Sequence, residues 1–142
     1  MTRGIDAERS LVNILWKNGF AVMRAPSSGS ATKRPLPDII AGSKKRGLQF
    51  VLEVKTTRLE TLYVDYDSIH QLLEFSQTFG CEPYLAIRFR GLTRNWIFSR
   101  PSQLQITKGK NYKITLKEAL ATGFDLKTLI GEGKQMRLGL ES

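Results

Sequence analysis

The sequence predicts an α/β protein in which a mixed central β-sheet is flanked by helices. One basis is an apolar stripe with helical spacing near the N-terminus, formed by Ile5, Leu11, Val12 and Leu15. A second is the run Leu48–Thr57, whose β-branched and aromatic side chains are typical of a strand. A third is the order of the later segments, a helix followed by further strands, which favours helices packed on a sheet.

Turn-forming residues and changes of hydrophobic period divide the chain into elements. The first half is predicted to be a helix, two strands, and a third strand after a basic turn: helix 4–18, strand 20–25, polar loop 26–35, strand 37–41, turn 42–47 and strand 48–57. The second half is predicted to begin with a connection, residues 58–64, and a helix that is capped by Asp65 or Asp67 and ends near Phe79. Strands 83–90, 94–100 and 111–115 and the short helices 116–121 and 125–130 are predicted to follow.

Composition favours one globular domain that binds a polyanion. The chain has 142 residues, 41% of them hydrophobic, and carries a net charge of +9. We expect a single domain over residues 1–131 and a C-terminal tail over 132–142. No apolar run reaches the ~20 residues that span a bilayer, no signal peptide is evident, and the one cysteine, Cys81, excludes an internal disulfide. A cytoplasmic, nucleoid-associated protein that does not enter membranes is therefore expected.

Asp38, Glu53 and Lys55 are the residues most indicative of chemistry. Asp38 follows Pro37 at the start of a predicted strand, and Glu53 and Lys55 alternate on the next one. Side chains alternate across a strand, so Glu53 and Lys55 point the same way, about 6.6 Å apart along the backbone. Charges on an apolar strand are costly unless they are paired or bind metal. Two acids and a lysine at this place predict a site for a hard divalent cation and a water nucleophile.

A fourth charged group, Glu8, lies near the centre of the apolar stripe of the first helix. A carboxylate on such a face breaks the binary pattern, and such exceptions tend to mark functional sites. The alternative is a helix-edge position stabilised by the positive N-terminal end of the helix. Arg9, beside Glu8, is placed to bind a phosphate or an acid.

These motifs together resemble the archaeal Holliday-junction resolvases of the PD-(D/E)xK nuclease superfamily. The resemblance rests on Glu8-Arg9 on a first helix, Arg24 on the next strand, a Ser/Gly loop, Pro37-Asp38, and Glu53-Val54-Lys55, and it covers at least residues 4–79. It implies a restriction-endonuclease-like core and paired, metal-dependent cleavage of four-way DNA junctions. The implied cofactor is Mg²⁺, with Mn²⁺ as a substitute. The implied ligands are Glu8, Asp38, Glu53 and the Val54 carbonyl.

The resemblance also implies roles for other groups. Lys55 would position or deprotonate the attacking water, or stabilise transition-state charge, and these alternatives stay open. A loop serine is needed for cleavage; Ser30 is the first choice, with Ser27 and Ser28 as rivals. The candidate DNA contacts are basic residues expected to flank the acids: Arg9, Arg24, Lys33, Arg34, Lys44, Lys45 and Arg46.

Cutting a four-way junction on two strands requires two active sites, so a C2 homodimer is expected. The aromatic face of the 84–98 strand pair, with Trp96, is a candidate dimer surface; ordinary core packing is the equal alternative. The tail sequence Gln135-Met136-Arg137-Leu138 resembles part of a sliding-clamp-binding peptide, though the usual paired aromatics are missing. A frayed tail is the alternative there.

Two other functions remain open on sequence alone. One is another endonuclease with the same core, of restriction or repair type, although such enzymes usually add a base-reading module for which this chain has little room. The other is a catalytically silent protein that binds DNA junctions. The presence of Glu8, Asp38, Glu53 and Lys55 argues against silence, because binding alone would not need acids facing a phosphate.

Overall fold

A computed structural model describes residues 2–26 and 34–131 of the chain. The first element, helix α1, spans Thr2–Lys17 and begins two residues before the predicted start. Leu11 and Leu15 of the predicted stripe are buried against the sheet together with Ala7, whereas Ile5 and Val12 are only partly buried. In the described ranges, no helix combines the length and apolar character needed to cross a bilayer.

The central sheet has five strands in the order β1-β2-β3-β5-β6. The bounds of these strands are β1 Ala21–Arg24, β2 Ile39–Ser43, β3 Leu48–Thr57, β5 Glu82–Phe89 and β6 Ile97–Ser99. Strands β3 and β5 run parallel, while the other neighbouring pairs are antiparallel. The predicted mixed sheet flanked by helices is confirmed, and β3 has the predicted bounds.

A second, three-stranded sheet has the order β4-β8-β7. Its strands are β4 Thr61–Val64, β7 Gln105–Ile106 and β8 Tyr112–Thr115. The prediction of a connection over residues 58–64 is therefore wrong at β4, which pairs antiparallel with β8. Leu62, Val64 and Ile114 from this sheet are buried. The small sheet thus completes one of the two apolar cores.

Helix α2, Tyr66–Phe79, provides the crossover between the parallel strands β3 and β5. Asp65 is its N-cap, and Gly80 ends it with a left-handed φ of 90° that suits glycine. Ile69, Leu72 and Ser76 are buried. Phe79 is not: it is 52% exposed and stacks on Phe75, with ring centroids 5.6 Å apart.

The two faces of β3 bury separate cores. Phe50 and Leu52 belong to the core beneath α1, while Val51 belongs to the core beneath α2 and the small sheet. This is the alternation predicted for the strand. Tyr84, Trp96 and Phe98 are buried in the α1 core within this one chain. The proposal of a dimer surface there is therefore wrong, and the core-packing alternative is confirmed.

The chain continues with two short helices, α3 Leu116–Thr122 and α4 Leu126–Leu129. Thr115 caps α3 in a reciprocal arrangement with Glu118, and the Asp125 side chain accepts the Thr128 N–H at the start of α4. Leu129 and Ile130 then pack into the α1 core. Both helices lie close to their predicted positions.

Candidate active site at the fork between β2 and β3

The candidate site lies where β2 and β3 diverge. The two strands pair from Ser43 and Leu48 up to Ile39 and Leu52. The Asp38 N–H still donates to the Leu52 carbonyl at 3.0 Å, and beyond this point β3 continues to Thr57 alongside β5. A fork is thus formed with Asp38 on one side and residues 53–55 on the other. The pairing register alone brings together acids that are far apart in sequence.

Asp38 is held in the fork by the backbone of β3. Its Oδ2 accepts the Val54 N–H at 2.8 Å. Leu52 and Val54 are two residues apart, so both turn their peptide groups toward β2, and the Val54 carbonyl faces the same side as its N–H. Burial raises the pKa of Asp38, while the Val54 hydrogen bond and Lys55 oppose that rise. The fork therefore offers a carboxylate and a backbone carbonyl together.

Glu53 and Lys55 lie on one face of β3, as their spacing predicts. The Lys55 ammonium is 3.5 Å from Glu53 Oε2, and the Glu53 side chain is only 12% exposed. Burial first, and the charge of Asp38 second, raise the pKa of Glu53 to about 8; Lys55 opposes this rise. Two acids are thus crowded in a partly dry site with one lysine, an arrangement that favours binding of further positive charge.

Glu8 of α1 reaches the same region through Arg24 of β1. The Arg24 guanidinium donates to Glu8 Oε1 at 3.3 Å, and both side chains are about one quarter exposed, at 26% and 22%. Burial and the charge of Asp38 raise the pKa of Glu8, whereas Arg24 lowers it. Glu8 therefore lies close enough to Asp38 for the charge of Asp38 to raise its pKa, and the acid that Arg24 contacts is Glu8 itself.

The remaining predicted DNA contacts divide into three groups. Arg9 and Arg34 are exposed. Ser30 and Lys33, with the rival serines Ser27 and Ser28, lie outside the described residues, as does the tail 132–142. The third group is Lys44, Lys45 and Arg46, which occupy the β2–β3 turn. Their position differs from the predicted one.

The prediction that Lys44, Lys45 and Arg46 closely flank the acids is wrong. The turn lies at the other end of the β2–β3 hairpin from Asp38, roughly 20 Å away at ~3.4 Å per residue. Arg46 is also engaged inside the molecule. Its Nε donates to the Asn18 carbonyl at 2.9 Å, and its guanidinium donates to the Ile130 carbonyl at 3.1 Å. It further lies over the Phe20 ring at 5.9 Å.

A ready-made metal cage is not present in the part of the chain that the structure describes: no three His, Cys, Asp or Glu side chains converge there as a metal-binding group. Asp38 instead bonds the Val54 amide, Glu53 pairs with Lys55, and Glu8 pairs with Arg24. The fork nevertheless holds oxygen donors of the kind that Mg²⁺ prefers, and Mg²⁺ commonly uses only one or two protein carboxylates.

Sequence reasoning missed three arginines, Arg88, Arg90 and Arg94, that line one open groove beyond the end of β5. It placed all the candidate DNA contacts around the acids. The signal that could have found them is a long acid-free stretch, residues 83–117, in which all three lie.

Comparisons with known proteins point to one family. A family model described as archaeal Holliday junction resolvase (Hjc) matches residues 1–138. The crossover junction endodeoxyribonuclease Hjc of Methanocaldococcus jannaschii is 38% identical over 136 residues, covering 96% of this chain and 92% of that protein. The Hjc of Archaeoglobus fulgidus is 34% identical, covering 97% and 96%.

A solved structure of Archaeoglobus fulgidus Hjc, a Holliday junction resolvase, superposes with a TM-score of 0.77 at 32% identity. It covers 89% of this chain and 98% of that one, and its fold is restriction-endonuclease-like. The fork acids, the mixed sheet and these full-length matches lead to one conclusion. The chain belongs to the archaeal Holliday junction resolvase family.

Proposed function

We propose that this protein is a structure-selective endonuclease that resolves four-way DNA junctions by hydrolysing phosphodiester bonds. The observation that carries this is the fork, where Asp38, Glu53 and Lys55 meet around the Val54 backbone. Family membership supports the same reaction, because the relatives are named crossover junction endodeoxyribonucleases. A silent junction-binding protein would gain nothing from two crowded acids, which repel a phosphate backbone.

Mg²⁺ is the proposed cofactor, with Mn²⁺ as a substitute. The proposed ligands are carboxylates of Asp38 and Glu53 and the Val54 carbonyl, with Glu8 holding a water or completing a second site. The raised pKa values of Asp38 and Glu53 support this, because a cation among them would stabilise both ionised forms. When bound, such a cation supplies Lewis-acid stabilisation of the phosphate and lowers the pKa of coordinated water.

The side chains of the chain have separable tasks in this proposal. Val54 N–H fixes the orientation of the Asp38 carboxylate. Lys55 stands beside Glu53, so its ammonium can donate to an attacking water or to a phosphate oxygen. Arg24 opposes the rise in the pKa of Glu8 and orients its carboxylate, while its own guanidinium stays partly exposed.

Ser30 is proposed as the loop serine needed for cleavage. Four basic residues are proposed to contact phosphates near the cut strand. Lys33 and Arg34 shortly precede Asp38 in sequence, and Arg24 and Arg9 contact or adjoin Glu8. Ser30→Ala should then lower cleavage much more than junction binding, and Ser28→Ala is the matched control. Equal effects of the two substitutions would remove Ser30 from the site.

The assembly is proposed to be a homodimer, because one fork can cut one strand and a junction needs two cuts. Binding of a sliding clamp through the tail is proposed only on Gln135 and the aliphatic Leu138 three residues later. Location in the cytoplasm with the nucleoid remains an expectation that follows from the DNA substrate.

One experiment tests the proposed function directly. A four-way junction and a linear duplex with the same arms are incubated with the protein, with Mg²⁺ or with a chelator. We expect paired incisions in the junction alone, and only with Mg²⁺. Asp38→Asn and Glu53→Gln should each lower the cleavage rate by at least about 100-fold and leave junction affinity nearly intact, since each removes a proposed ligand but no basic residue.

Glu82→Gln is the matched control, because Glu82 is an exposed acid at the amino end of β5. It should cut at the parent rate. Cleavage of linear duplex at a specific sequence would favour a restriction-type enzyme, and tight junction binding without any cleavage would favour the silent alternative.

A further inference from the structure

The net positive charge of this protein is concentrated in one segment. Residues 83–117 contain no acid and eight basic residues: Arg88, Arg90, Arg94, Arg100, Lys108, Lys110, Lys113 and Lys117. The remainder of the chain has 14 basic residues against 13 acids, so it contributes a single net positive charge out of +9. The electrostatic attraction for DNA is therefore expected mainly from this segment, rather than from the basic residues near the fork.

Three of these arginines line one groove. The groove has a volume of about 630 Å³ and is open to solvent, and Arg88, Arg90 and Arg94 border it together with the turn Gly91-Leu92-Thr93. No carboxylate of the described residues lies within ion-pairing distance of Arg90 or Arg94. Their charges are thus available to an external anion.

The groove is built onto the catalytic strand. Arg88 on β5 is in register with Thr56 on β3, one residue beyond Lys55. The Arg90 N–H donates to the Thr57 carbonyl at 2.7 Å, which fixes the start of the turn to the carboxyl end of β3. DNA bound for cleavage at the site formed by Glu53 and Lys55 would therefore pass close to this turn.

The turn itself is held rigidly. The N–H groups of Leu92 and Thr93 both donate to the Phe89 carbonyl, at 3.0 and 2.9 Å, and Gly91 supplies a positive φ of 80°. Arg88 stacks over Trp96 at 5.4 Å and donates to the Arg94 carbonyl at 3.5 Å. Arg88 is thus a positioning residue that fixes the backbone from which Arg94 projects.

We propose that the β5–β6 turn is a second DNA-backbone site, in which Arg90 and Arg94 bind phosphates of the duplex arm that leaves the fork. This rests on the proposed function, because the ligand is taken to be the same junction. The chemistry is that of two guanidinium groups meeting phosphate oxygens, and it reads shape rather than base sequence.

The test compares Arg90→Gln/Arg94→Gln with a control that removes the same charge elsewhere. Lys17→Gln/Lys127→Gln is suitable. Lys17 and Lys127 are both exposed and lie in α1 and α4. The carbonyls that follow these two helices accept hydrogen bonds from Arg46, so both lysines lie at the end of the sheet opposite to the groove. Binding to a four-way junction is measured in chelator over a series of salt concentrations. Single-turnover cleavage is then measured with saturating protein and Mg²⁺.

The arginine variant should bind the junction at least about tenfold more weakly at moderate salt, and the slope of log K against log salt should fall by about 2, roughly one unit per lost phosphate contact. Its single-turnover rate at saturation should equal that of the parent. A slope no smaller than that of the lysine control would overturn the site. So would a reduced rate at saturation, because the arginines would then act on the chemistry. Absence of cleavage by the parent would defeat the proposed function, whereas the salt slope would still decide the groove.

Discussion

Glu53 is the residue whose ionisation is most strongly linked to stability. Its pKa is raised to about 8 in the folded chain, from the ordinary value of 4.5, so the folded state holds the proton more tightly than the unfolded state. The contribution of Glu53 to the free energy of unfolding is therefore greatest below about pH 4.5 and is lost as pH rises through about 8. The upper bound of this loss is about 5 kcal/mol.

Glu53→Gln should remove this dependence. In chelator, we expect the variant to be more stable than the parent at pH 9, by a few kcal/mol at most, and the two to converge near pH 5. Urea unfolding across this range measures the difference. Glu82→Gln is the control and should parallel the parent. A constant offset between Glu53→Gln and the parent at all pH values would contradict the raised pKa.

The Arg24–Glu8 pair makes a second prediction at the residue scale. Arg24→Ala leaves the largely buried Glu8 carboxylate without its cation. Because the pair is a single 3.3 Å contact that solvent still reaches, the expected cost is only about 1 kcal/mol. Glu8→Gln in the same chain should recover much of that cost. Urea unfolding of the two single variants and the double variant gives the coupling energy. Strictly additive effects would show that the contact does not contribute to stability.

Among the elements, the β2–β3 turn has an architectural task that its basic sequence hides. Arg46 joins the carbonyls that follow α1 and α4 and lies over Phe20. Arg46→Gln should lower the free energy of unfolding by about 2–3 kcal/mol, because two charge-assisted hydrogen bonds are lost. Lys45→Gln, at the exposed neighbouring position, should stay within about 0.5 kcal/mol.

The same pair of variants separates structure from DNA binding. If Arg46 acts only within the fold, Arg46→Gln should change junction affinity no more than Lys45→Gln does, when both are measured at a temperature where the variants are folded. A larger loss of affinity for Arg46→Gln would restore the original prediction that Arg46 binds DNA.

These elements also show what the sequence could and could not predict. Strand β3 was predicted with its bounds because its run is long and rich in β-formers. Strand β4 was missed although Thr61-Leu62-Tyr63-Val64 alternates, because a polar stretch precedes it; β7 has only two residues and little signal. Lys44 and Lys45 were misplaced because they were assumed to be near Asp38 in space as they are in sequence. Strand β2 lies between them and Asp38, and its length separates them from the acids.

For the whole molecule, the dimer prediction now needs a surface other than the buried aromatics of β5 and β6. The stacked, partly exposed pair of Phe75 and Phe79 on α2 is an apolar surface that a second copy could cover. We expect light scattering at micromolar protein to give twice the chain mass of 16.1 kDa.

Phe79→Arg should shift this mass toward that of one chain, with little loss of folding stability because Phe79 is half exposed. Leu120→Arg is the matched control, since Leu120 is 61% exposed on α3. A parent that scatters as a single chain, with DNA absent and present, would contradict the two-site assembly. A dimer unaffected by Phe79→Arg would place the contact elsewhere.

The hydrogen bond from the Val54 amide to Asp38 gives the molecule an internal spectroscopic reporter. A backbone proton that points at a carboxylate changes its NMR chemical shift when that carboxylate gains a proton or a cation. The Val54 amide resonance should thus follow the charge state of Asp38 directly, without DNA and without any added label. The rate at which this amide proton exchanges with solvent would in turn record how often the fork opens locally. One resonance would therefore report both the charge state of the site and its opening.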